Sequence, residues 1–500
     1  MQDLASEKLT TEQSAKASPT KKPTASTFDF MVVSNRLPVD RCSSDGNDDG
    51  GDGWRRSPGG LVTALAPMMT KSDGAWVGWH GAPDETVRPF SHEGMDLVPV
   101  QLSSHEVELY YEGFSNATIW PLYHDVIAPP EFHRTWWDSY RQVNKKFADA
   151  VIRHAADGAT VWVQDYQLQL VPRMLREARP DLKIGFFNHI PFPPPEIFAQ
   201  LPWRREIIDG LLGADLLGFQ RPSDAGNFMR SARRFLGASV KQQQVHVKGP
   251  DGEVTHIARA QAFPISIDVD QIRELAARPD IIERARQIRK DLGDPKTILL
   301  GVDRLDYTKG IGHRLKAFEE LLREGSIKVE DATLIQVASP SRERVEQYRL
   351  LREEIEGTVG HINGTYDTIQ NTAVRYLHHS YPVEEMVALY LAADVMLVTA
   401  LRDGMNLVAK EYVTARSEDD GALVLSEFAG AADQLKQALL INPHDIDGLK
   451  SAILRAVNLP PKEARRRMKL MRKQILDHDV DHWSAEFLAA LEEKVVRDDS

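Results

Sequence analysis

Short apolar runs alternate along most of this chain with segments whose apolar residues recur at helical spacing. In the first part of the chain, runs of strand length lie at residues 160–165, 182–189 and 214–219, and each is followed by a helical segment. This alternation of strand and helix patterns is interrupted around residues 263–268 and resumes at residues 297–303. Alternation of strand and helix is typical of parallel sheets covered by helices. It predicts an α/β fold with two doubly wound, Rossmann-like parallel-sheet domains that face each other.

The same patterns divide the chain into four parts. Residues 1–27 have no apolar period and are rich in Lys, Ser, Thr, Ala and Pro, which predicts a disordered tail. Residues 28–265 (the first half) and 266–480 (the second half) are the two predicted domains. We expect residues 481–500 to be a helix that braces both. An Asp- and Gly-rich insert at residues 43–53 predicts a mobile loop in the first half.

Two local predictions concern helices. Ser103 with Glu106 has the spacing of a capping box, and it predicts a short helix that ends near residues 110–111. The aromatic residues 114–124 are then interpreted as a connection. Apolar spacing over residues 271–292 predicts a single helical run after the pause between the two halves.

Composition excludes several classes of function. The formal net charge of −12 over 500 residues argues against a nucleic-acid-binding protein, which needs a basic face. The single cysteine, Cys42, excludes an intramolecular disulfide and a Cys-based zinc site. Asp268 and Asp270 have the spacing of a metal-binding pair, but their place at a helix start predicts a helix cap, so we expect no metal. No apolar run is long enough to cross a bilayer, and we expect a cytoplasmic protein without membrane or nucleic-acid partners.

Residues 394–416 combine an apolar run, a turn that contains Gly404 and a helical segment. A strand, a glycine turn and a helix N-terminus make an anion-binding site, because free backbone N–H groups and the helix dipole point at the ligand. Asp403 before the turn and Glu411 in the helix add two carboxylates that suit sugar hydroxyls. The alternative is an ordinary strand-to-helix connection with a solvated aspartate.

Arg304 and Lys309 lie together in a predicted strand-to-helix loop of the second half. Two cations that face an anion-binding site suit a diphosphate, and they would stabilise negative charge that builds up on a leaving phosphate. The alternative is a surface loop whose cations form salt bridges with Asp303 and Asp306.

Further candidates lie at predicted strand ends and corners. Asp165 and His189 follow strands of the first half and suit a neutral polyol, although His189 has the alternative of a core histidine bonded to backbone. Gly59 and Gly60 precede an apolar helix and allow close approach to a ligand, or form a simple flexible turn. No Gly-x-Gly-x-x-Gly or Walker-type loop is present. Four more residues offer charge or aromatic walls, namely Arg36, Tyr111, Trp120 and Arg342.

A series of motifs in fixed order carries a family resemblance from about Phe28 to the end of the chain. The chain resembles the retaining α,α-trehalose-6-phosphate synthases, which form glycosyltransferase family 20. Any single motif is weak, whereas their shared order is highly specific. They lie at residues 33–38, 59–61, 78–79, 110–111, 114–117, 120–121, 164–166, 189–193, 217–220, 304–310 and 402–411.

This resemblance implies the GT-B fold, with the active site in the cleft between two Rossmann-like domains. It implies transfer of glucose from a nucleotide-diphosphoglucose to glucose 6-phosphate, giving α,α-trehalose 6-phosphate with retention. The family needs no metal or other cofactor, and its leaving phosphate is thought to deprotonate the acceptor on the same face. No Asp-x-Asp-x-Thr phosphatase motif follows, so we expect a separate phosphatase downstream. We also expect a homo-oligomer.

Family roles carry over by position. The residues implied in catalysis are Arg304, Lys309, Asp403 and His189, where Arg304 and Lys309 hold the diphosphate and Asp403 holds the donor glucose with His189 on its far side. Glu411 is implied to bind the ribose hydroxyls of the donor. The remaining donor-binding positions are Gly59, Gly60, Gly404, Met405, Asn406, Leu407 and Val408. The positions implied to bind glucose 6-phosphate are Arg36, Trp79, Tyr111, Trp120, Asp165 and Arg342.

Two alternatives stay open at this point. One is a related glucosyltransferase that uses another phosphorylated polyol, such as glycerol 3-phosphate, because a phosphate clamp suits any of them. The other is a non-catalytic regulatory subunit of a trehalose-synthesising complex, although the charged residues of the cleft are all present and favour activity. The nucleotide stays unnamed, since UDP-, ADP- and GDP-glucose share the ribose that Glu411 is implied to contact.

Overall fold

The computed structural model describes residues 27–41, 53–57, 62, 65, 69, 74–249, 251–418 and 420–493. The predictions for the N-terminal tail, for almost all of the insert at residues 43–53 and for Gly59 and Gly60 therefore lie outside the described residues. The same holds for the last seven positions of the predicted helix at residues 481–500.

The described strands of the first half form a ten-stranded sheet and a separate hairpin. The sheet order is β10-β11-β12-β9-β8-β7-β1-β4-β6-β5, and β2 pairs with β3. Neighbours in this sheet run parallel except at its two edges, where β10, β11 and β12 pair antiparallel and so do β5 and β6. The strands are β1 Phe28–Arg36, β2 Val39–Arg41, β3 Trp54–Arg56, β4 Gly74–Trp79, β5 Phe90–His92, β6 Met95–Val100, β7 Ala155–Gln164, β8 Lys183–Asn188, β9 Leu216–Phe219, β10 Ser239–Lys241, β11 Gln244–Lys248 and β12 Val254–Ala262.

The second half contains a six-stranded sheet in the order β15-β14-β13-β16-β17-β18, and every pair in it is parallel. Its register places Arg304 beside Ser339 at the carboxyl ends of β13 and β14. Ligands of open parallel sheets bind outside these carboxyl ends. The parallel cores of the two sheets confirm the fold class predicted from the alternation. The strands are β13 Thr297–Arg304, β14 Ala332–Ser339, β15 Val374–Leu377, β16 Val395–Val398, β17 Ala422–Ser426 and β18 Leu439–Ile441.

Helices connect the strands and cover both sheets. In the first half they are Ser104–Glu106, the wide-turn π-helix Val107–Ile119, Trp120–Tyr123, Arg134–His154, Val171–Ala178, Pro195–Phe198, Arg204–Leu211 and Pro222–Leu236, with a 3-10 turn at Tyr166–Leu168. The later helices are Val269–Ala277, Pro279–Asp291, Ile311–Arg323, Glu346–Tyr366, Val383–Ala392, Leu407–Ala415, Ile446–Val457, Pro461–Asp477 and Val480–Glu492, with 3-10 turns at Tyr307–Lys309 and Gly430–Asp433. No helix in the described ranges combines the length and apolar character needed to cross a membrane.

Both local predictions about helices need correction. The capping box of Ser103 and Glu106 is present, but the helix does not end near residue 111. It continues as Val107–Ile119 and then Trp120–Tyr123, so the predicted aromatic connection is helical. The predicted run at residues 271–292 is two helices, because Pro279 lacks an N–H and begins a new helix.

The last described helix returns to the first sheet. Phe487 stacks on Trp162 of β7 with ring centroids 4.5 Å apart, and Trp483 packs against the same ring in a tilted arrangement at 5.1 Å. Gly185 of β8 leaves room for Phe487, since a Cβ there would lie 2.8 Å from its ring. The chain therefore crosses between the sheets a second time near residue 480, while the domain limits drawn from the sequence stay predictions.

Candidate active site

Lys309 and Asp403 form an ion pair at the carboxyl edge of the second sheet. Lys309 Nζ lies 2.6 Å from Asp403 Oδ2, and the two side chains are only 11% and 14% exposed. Asn406 Nδ2 donates to the same oxygen at 3.2 Å. Burial alone would raise the pKa of Asp403, but the charge and hydrogen bond of Lys309 outweigh it and hold that pKa below its usual value. Asp403 is therefore ionised at neutral pH and accepts hydrogen bonds.

The loop after Asp403 presents a helix N-terminus to the cleft. Asn406 has a φ of 84° and its side chain accepts a hydrogen bond from Ala409 N, which caps the helix Leu407–Ala415. Gly404 packs directly on the first half, since a Cβ there would overlap the carbonyl oxygen of His189. The cap and this close approach fix the loop, and the first N–H groups of the helix remain available for an anion.

Arg304 is exposed at the end of β13, and its Cζ lies 5.3 Å from the ring centroid of Trp120 in the first half. Its guanidinium makes no hydrogen bond or ion pair with another described residue. The alternative in which Asp303 and Asp306 neutralise the cations of this loop is wrong for Asp303, which pairs with the buried Arg314 at 2.9 Å. Arg304 is thus a guanidinium open to the cleft.

Arg342 joins the two halves. Its guanidinium lies 3.7 Å from the ring centroid of Trp120, and Nη2 donates to the Tyr166 hydroxyl at 3.2 Å. On the other side Nη1 bonds Tyr348 and lies 3.1 Å from Asp306 Oδ2. Asp306 is fully buried; burial would raise its pKa, but Arg342 and the neighbouring cations hold it well below its usual value.

Asp165 and His189 lie together at the carboxyl ends of β7 and β8. Asp165 has a φ of 72°, and its Oδ1 accepts a hydrogen bond from His189 N at 3.0 Å. Burial raises the pKa of Asp165 to about 6. His189 Nε2 donates to the side-chain oxygen of Gln164 at 2.9 Å, rather than to the backbone as the alternative required. Burial lowers the pKa of His189 to about 3, so its ring is neutral.

The predicted phosphate clamp divides into two groups. Arg36 is 44% exposed, pairs with Asp40 at 2.7 Å and lies 5.1 Å from the Trp79 ring centroid. Trp120 belongs to the group around Arg342, and its Nε1 is buried without a hydrogen-bond partner among the described residues. Tyr111 is partly buried. No hydrogen bond or ion pair in the described part of the chain joins Arg36 to the Trp120 group.

Glu411 lies in the helix beside a cavity of about 390 Å³. Its Oε2 accepts a hydrogen bond from the Tyr390 hydroxyl at 2.7 Å, and burial raises its pKa. Leu407 and Val408 are partly buried, whereas Met405 is buried. Apart from Leu407, Tyr390 and Glu411, the cavity is lined by Arg56, Ser57, Ser266, Ile267, Asp268, Gln271, Ile272, Tyr381, Pro382, Val383, Glu384 and Met386.

Sequence reasoning missed two buried residues in the centre of the site. His124 hydrogen-bonds through Nδ1 to the Trp120 carbonyl oxygen at 2.7 Å, and burial lowers its pKa to about 3 although Asp306 and Asp403 act in the opposite direction. It lay in the aromatic stretch interpreted as a connection. Asp306 was considered only as a surface partner of the cations. Its signal was its place two residues after Arg304, in the same strand-end loop.

The acidic pair at the start of the second half is a helix cap, as predicted. Asp268 accepts a hydrogen bond from Gln271 N at 2.9 Å. Throughout the described ranges, no group of three or more His, Cys, Asp or Glu side chains is placed to hold a metal ion.

Known proteins share this sequence and this arrangement. The family model of glycosyltransferase family 20 matches residues 28–493. The trehalose-6-phosphate synthase of Mycolicibacterium smegmatis is 57% identical over 468 residues, which cover 93% of this chain and 92% of that protein. A Burkholderia xenovorans α,α-trehalose-phosphate synthase (UDP-forming), solved with glucose-6-phosphate, has a TM-score of 0.84 at 32% identity and covers 93% of this chain and 100% of its own. An E. coli structure bound with UDP-2-fluoro glucose also has a TM-score of 0.84 at 32% identity, with 94% and 100% covered.

The match extends over both sheets and over the cleft between them, which confirms the GT-B arrangement implied by the motifs. Together with the family match over nearly the whole described chain, it shows where this protein belongs. The chain is a member of glycosyltransferase family 20.

Proposed function

We propose that this protein transfers glucose from a nucleotide-diphosphoglucose to the anomeric hydroxyl of glucose 6-phosphate. The products are α,α-trehalose 6-phosphate and a nucleoside diphosphate, with retention at the donor carbon. The observation that carries the proposal is the cleft itself, where Arg304 of the second half lies against Trp120 of the first half and Lys309 pairs with Asp403 at the same sheet edge. The relatives support the choice of substrates, since one was solved with glucose-6-phosphate and another with UDP-2-fluoro glucose.

The second half binds the donor. Arg304, which has no ion-pair partner among the described residues, and Lys309 contact the diphosphate, together with the N–H groups at the helix start. Asp403 is ionised and accepts hydrogen bonds from the glucose hydroxyls. Glu411 accepts hydrogen bonds from the ribose at the mouth of the adjacent cavity. The remaining donor positions are Gly59, Gly60, Gly404, Met405, Asn406, Leu407 and Val408, with His189 on the far side of the glucose.

The first half, with Arg342, binds the acceptor. Arg342 is always charged and is held rigidly between Trp120 and Asp306, which suits bidentate binding of a phosphate. The buried, unpaired Nε1 of Trp120 supplies a further donor. Asp165 accepts hydrogen bonds from the acceptor hydroxyls. The other acceptor positions are Arg36, Trp79 and Tyr111.

Catalysis in this scheme is electrostatic. The bond between the donor anomeric carbon and the phosphate oxygen breaks, and the electron pair stays on the leaving phosphate. The acceptor oxygen then bonds to the same face of that carbon, and its proton moves to a leaving phosphate oxygen. Arg304 and Lys309 stabilise the charge on that phosphate. Neutral His189 and ionised Asp403 hold and orient the glucose.

The proposal extends to the setting of the reaction. The two cations supply the charge stabilisation that a metal supplies in other transferases, so we propose that no metal or other cofactor is needed. A separate trehalose-6-phosphate phosphatase consumes the product, and the enzyme is a cytoplasmic homo-oligomer. Residues 28–265 form the acceptor domain and residues 266–480 the donor domain, with the helix at residues 481–500 bracing both.

Product analysis tests the reaction. With UDP-, ADP- or GDP-glucose offered in turn, at least one donor is expected to give trehalose 6-phosphate with glucose 6-phosphate, detected by mass spectrometry and by released nucleotide. Reactions without acceptor are the control. Absence of trehalose 6-phosphate with every donor would overturn the proposal. Because the clamp recognises a phosphate, glycerol 3-phosphate is the competing acceptor, and a higher kcat/KM with it would favour the second candidate.

Activity is expected to depend on the ionisation of Asp165. Its pKa is raised to about 6 by burial, so its carboxylate is present above that pH and is lost as the pH falls through it. A phosphate monoester also gains a proton near pH 6, so log kcat/KM for glucose 6-phosphate should fall with a slope of about two protons per pH unit. In Asp165→Asn only the phosphate of glucose 6-phosphate still titrates in this range, so the slope of log kcat/KM should be about one proton per pH unit. Equal slopes for the two proteins would contradict the role of Asp165.

A further inference from the structure

Arg402, the residue before Asp403, reaches out of the second half to two carboxylates of the first. Its Nε lies 3.2 Å from Asp125 Oδ2 and its Nη2 lies 3.5 Å from Asp224 Oδ1. The Arg402 side chain is 15% exposed and that of Asp224 is fully buried. One guanidinium of the donor loop thus lies between two acidic side chains on the opposite side of the cleft.

These contacts are incomplete. Charge-assisted hydrogen bonds between guanidinium and carboxylate are about 2.7–2.9 Å long, and neither contact here reaches that length. Both carboxyl oxygens of Asp224 and the Nε of Arg402 are buried without a hydrogen-bond partner in the described part of the chain. An unsatisfied buried charge is costly. A small reorientation of the Arg402 guanidinium toward Asp125, with a slight approach to Asp224, would turn both contacts into hydrogen bonds.

The turn that carries Asp125 is held in an unfavourable backbone conformation. Asp125 has a φ of 57° and Val126 a φ of 59°. The left-handed region is disfavoured for a β-branched residue such as Val126 and persists only where the surrounding structure imposes it. The turn follows His124 and the helix Trp120–Tyr123. The strained backbone places the Asp125 carboxylate next to the donor loop.

A second ion pair crosses the same boundary, but here the first half supplies the arginine and the second half the carboxylate. Arg221, directly before the helix that carries Asp224, donates two hydrogen bonds to Asp433 at 2.7 and 2.8 Å. Asp433 ends the 3-10 turn Gly430–Asp433, whose Gly430 N donates to the Asp403 carbonyl oxygen at 3.2 Å. This pair is already formed. It holds one side of the donor loop, while Arg402 on the other side still lacks its bonds.

We propose that Arg402 is a positioning residue of the transfer reaction. With Asp125 and Asp224 it forms a clasp that closes when donor and acceptor are both bound, and that fixes the donor loop against the first half. Closure aligns the glucose held by Asp403 with the acceptor and excludes water from the cleft. This inference rests on the proposed function, because the donor and acceptor sites are those assigned above.

The test compares Arg402→Met, Asp224→Asn and the double variant with the wild type. Arg402→Met is expected to lower kcat by about tenfold, with a smaller change in the KM for the donor, because misalignment affects transfer more than donor binding. Asp224→Asn is expected to lower kcat as well. The double variant should be no slower than Arg402→Met, because both substitutions remove the same clasp. Arg402→Lys, which keeps the charge, recovers part of the loss. Additive losses, or an unchanged kcat in Arg402→Met, would overturn the clasp.

Arg284→Met is the matched control. Arg284 pairs with Glu385 at 2.6 Å, is 44% exposed, and this ion pair lies entirely within the second half. The same chemical change there removes an ion pair without affecting the boundary between the halves. We expect its kcat to stay within about twofold of wild type, since exposed ion pairs contribute little.

A measurement independent of turnover separates the clasp from the proposed function. Hydrogen exchange of residues 401–406 is followed in the wild type with UDP plus glucose 6-phosphate, which do not react. The loop is expected to gain protection in the wild type and in Arg284→Met, and to gain clearly less in Arg402→Met, where only direct contact with the bound UDP protects it. The clasp would be contradicted if the wild-type loop gained no protection, or if the loop of Arg402→Met gained as much protection as the wild-type loop. Failure to form trehalose 6-phosphate sinks the proposed function instead.

Discussion

Lys309→Ala is expected to lower kcat by on the order of 10²-fold or more, the effect seen when a preorganised charge donor is removed from a site where charge develops. Lys309 is one of two cations at the carboxyl edge of β13, and its side chain is only 11% exposed. A buried cation interacts more strongly with a leaving phosphate than a solvated one, because water screens it less. The loss should fall mainly on kcat, since negative charge on the leaving oxygen is greatest in the transition state.

Lys309→Ala also changes the ionisation of Asp403, the ion-pair partner of Lys309. Without Lys309, burial is no longer offset and the pKa of Asp403 rises. The remaining activity of Lys309→Ala should therefore decline further as the pH is lowered, whereas Lys309→Arg keeps a cation beside Asp403 and should not show this added decline. Steady-state kinetics between pH 6 and about 9 distinguish the two.

Lys316→Ala serves as the control for Lys309→Ala. Lys316 is exposed on the helix Ile311–Arg323, which directly follows the Lys309 turn, and it makes no ion pair with another described residue. Its removal should leave kcat unchanged within error, since exposed charges away from a site contribute little. An unchanged kcat in Lys309→Ala would contradict the proposed role in stabilising the leaving group.

The parallel core of both sheets was predictable, because apolar strands that alternate with helices leave few other arrangements. The antiparallel edges were not. Strands β5 and β10 have three residues each and are partly exposed, so they lack the apolar run that marks a buried strand. The continuation of the capping-box helix to residue 123 was also missed. Phe114 packs 4.4 Å from Tyr140 of the long helix Arg134–His154, a contact that local spacing does not reveal.

The part of the site that lies at the carboxyl ends of neighbouring strands was predictable from the sequence. Lys309 and Asp403 are 94 residues apart, yet both follow neighbouring parallel strands, so their proximity follows from the topology. Contacts across the cleft depend instead on how the two halves are placed. The bond between Arg342 and Tyr166 spans 176 residues and two separate sheets. No periodicity within either half carries that information, which is why Tyr166 was not predicted to be a partner of Arg342.

Arg342→Met is expected to have two separable effects, one on the acceptor and one on stability. The guanidinium is the proposed ligand of the acceptor phosphate, so kcat/KM for glucose 6-phosphate should fall by on the order of 10²-fold, as expected for a lost bidentate charged contact. The same change leaves the Asp306 carboxylate buried and unpaired on that side. Breaking a buried pair by removal of one partner costs about 3–5 kcal/mol of unfolding free energy.

The double variant Arg342→Met/Asp306→Asn separates the two effects. With the carboxylate replaced by a neutral amide of the same shape, no uncompensated charge remains, and most of the lost stability should return in a denaturant titration. Acceptor binding should not return, because the phosphate ligand is still absent. Recovery of kcat/KM together with stability would mean that Arg342 acts only as a structural brace between the halves. Loss of donor binding in Arg342→Met, measured by calorimetry with the nucleoside diphosphate, would equally contradict an acceptor-specific role.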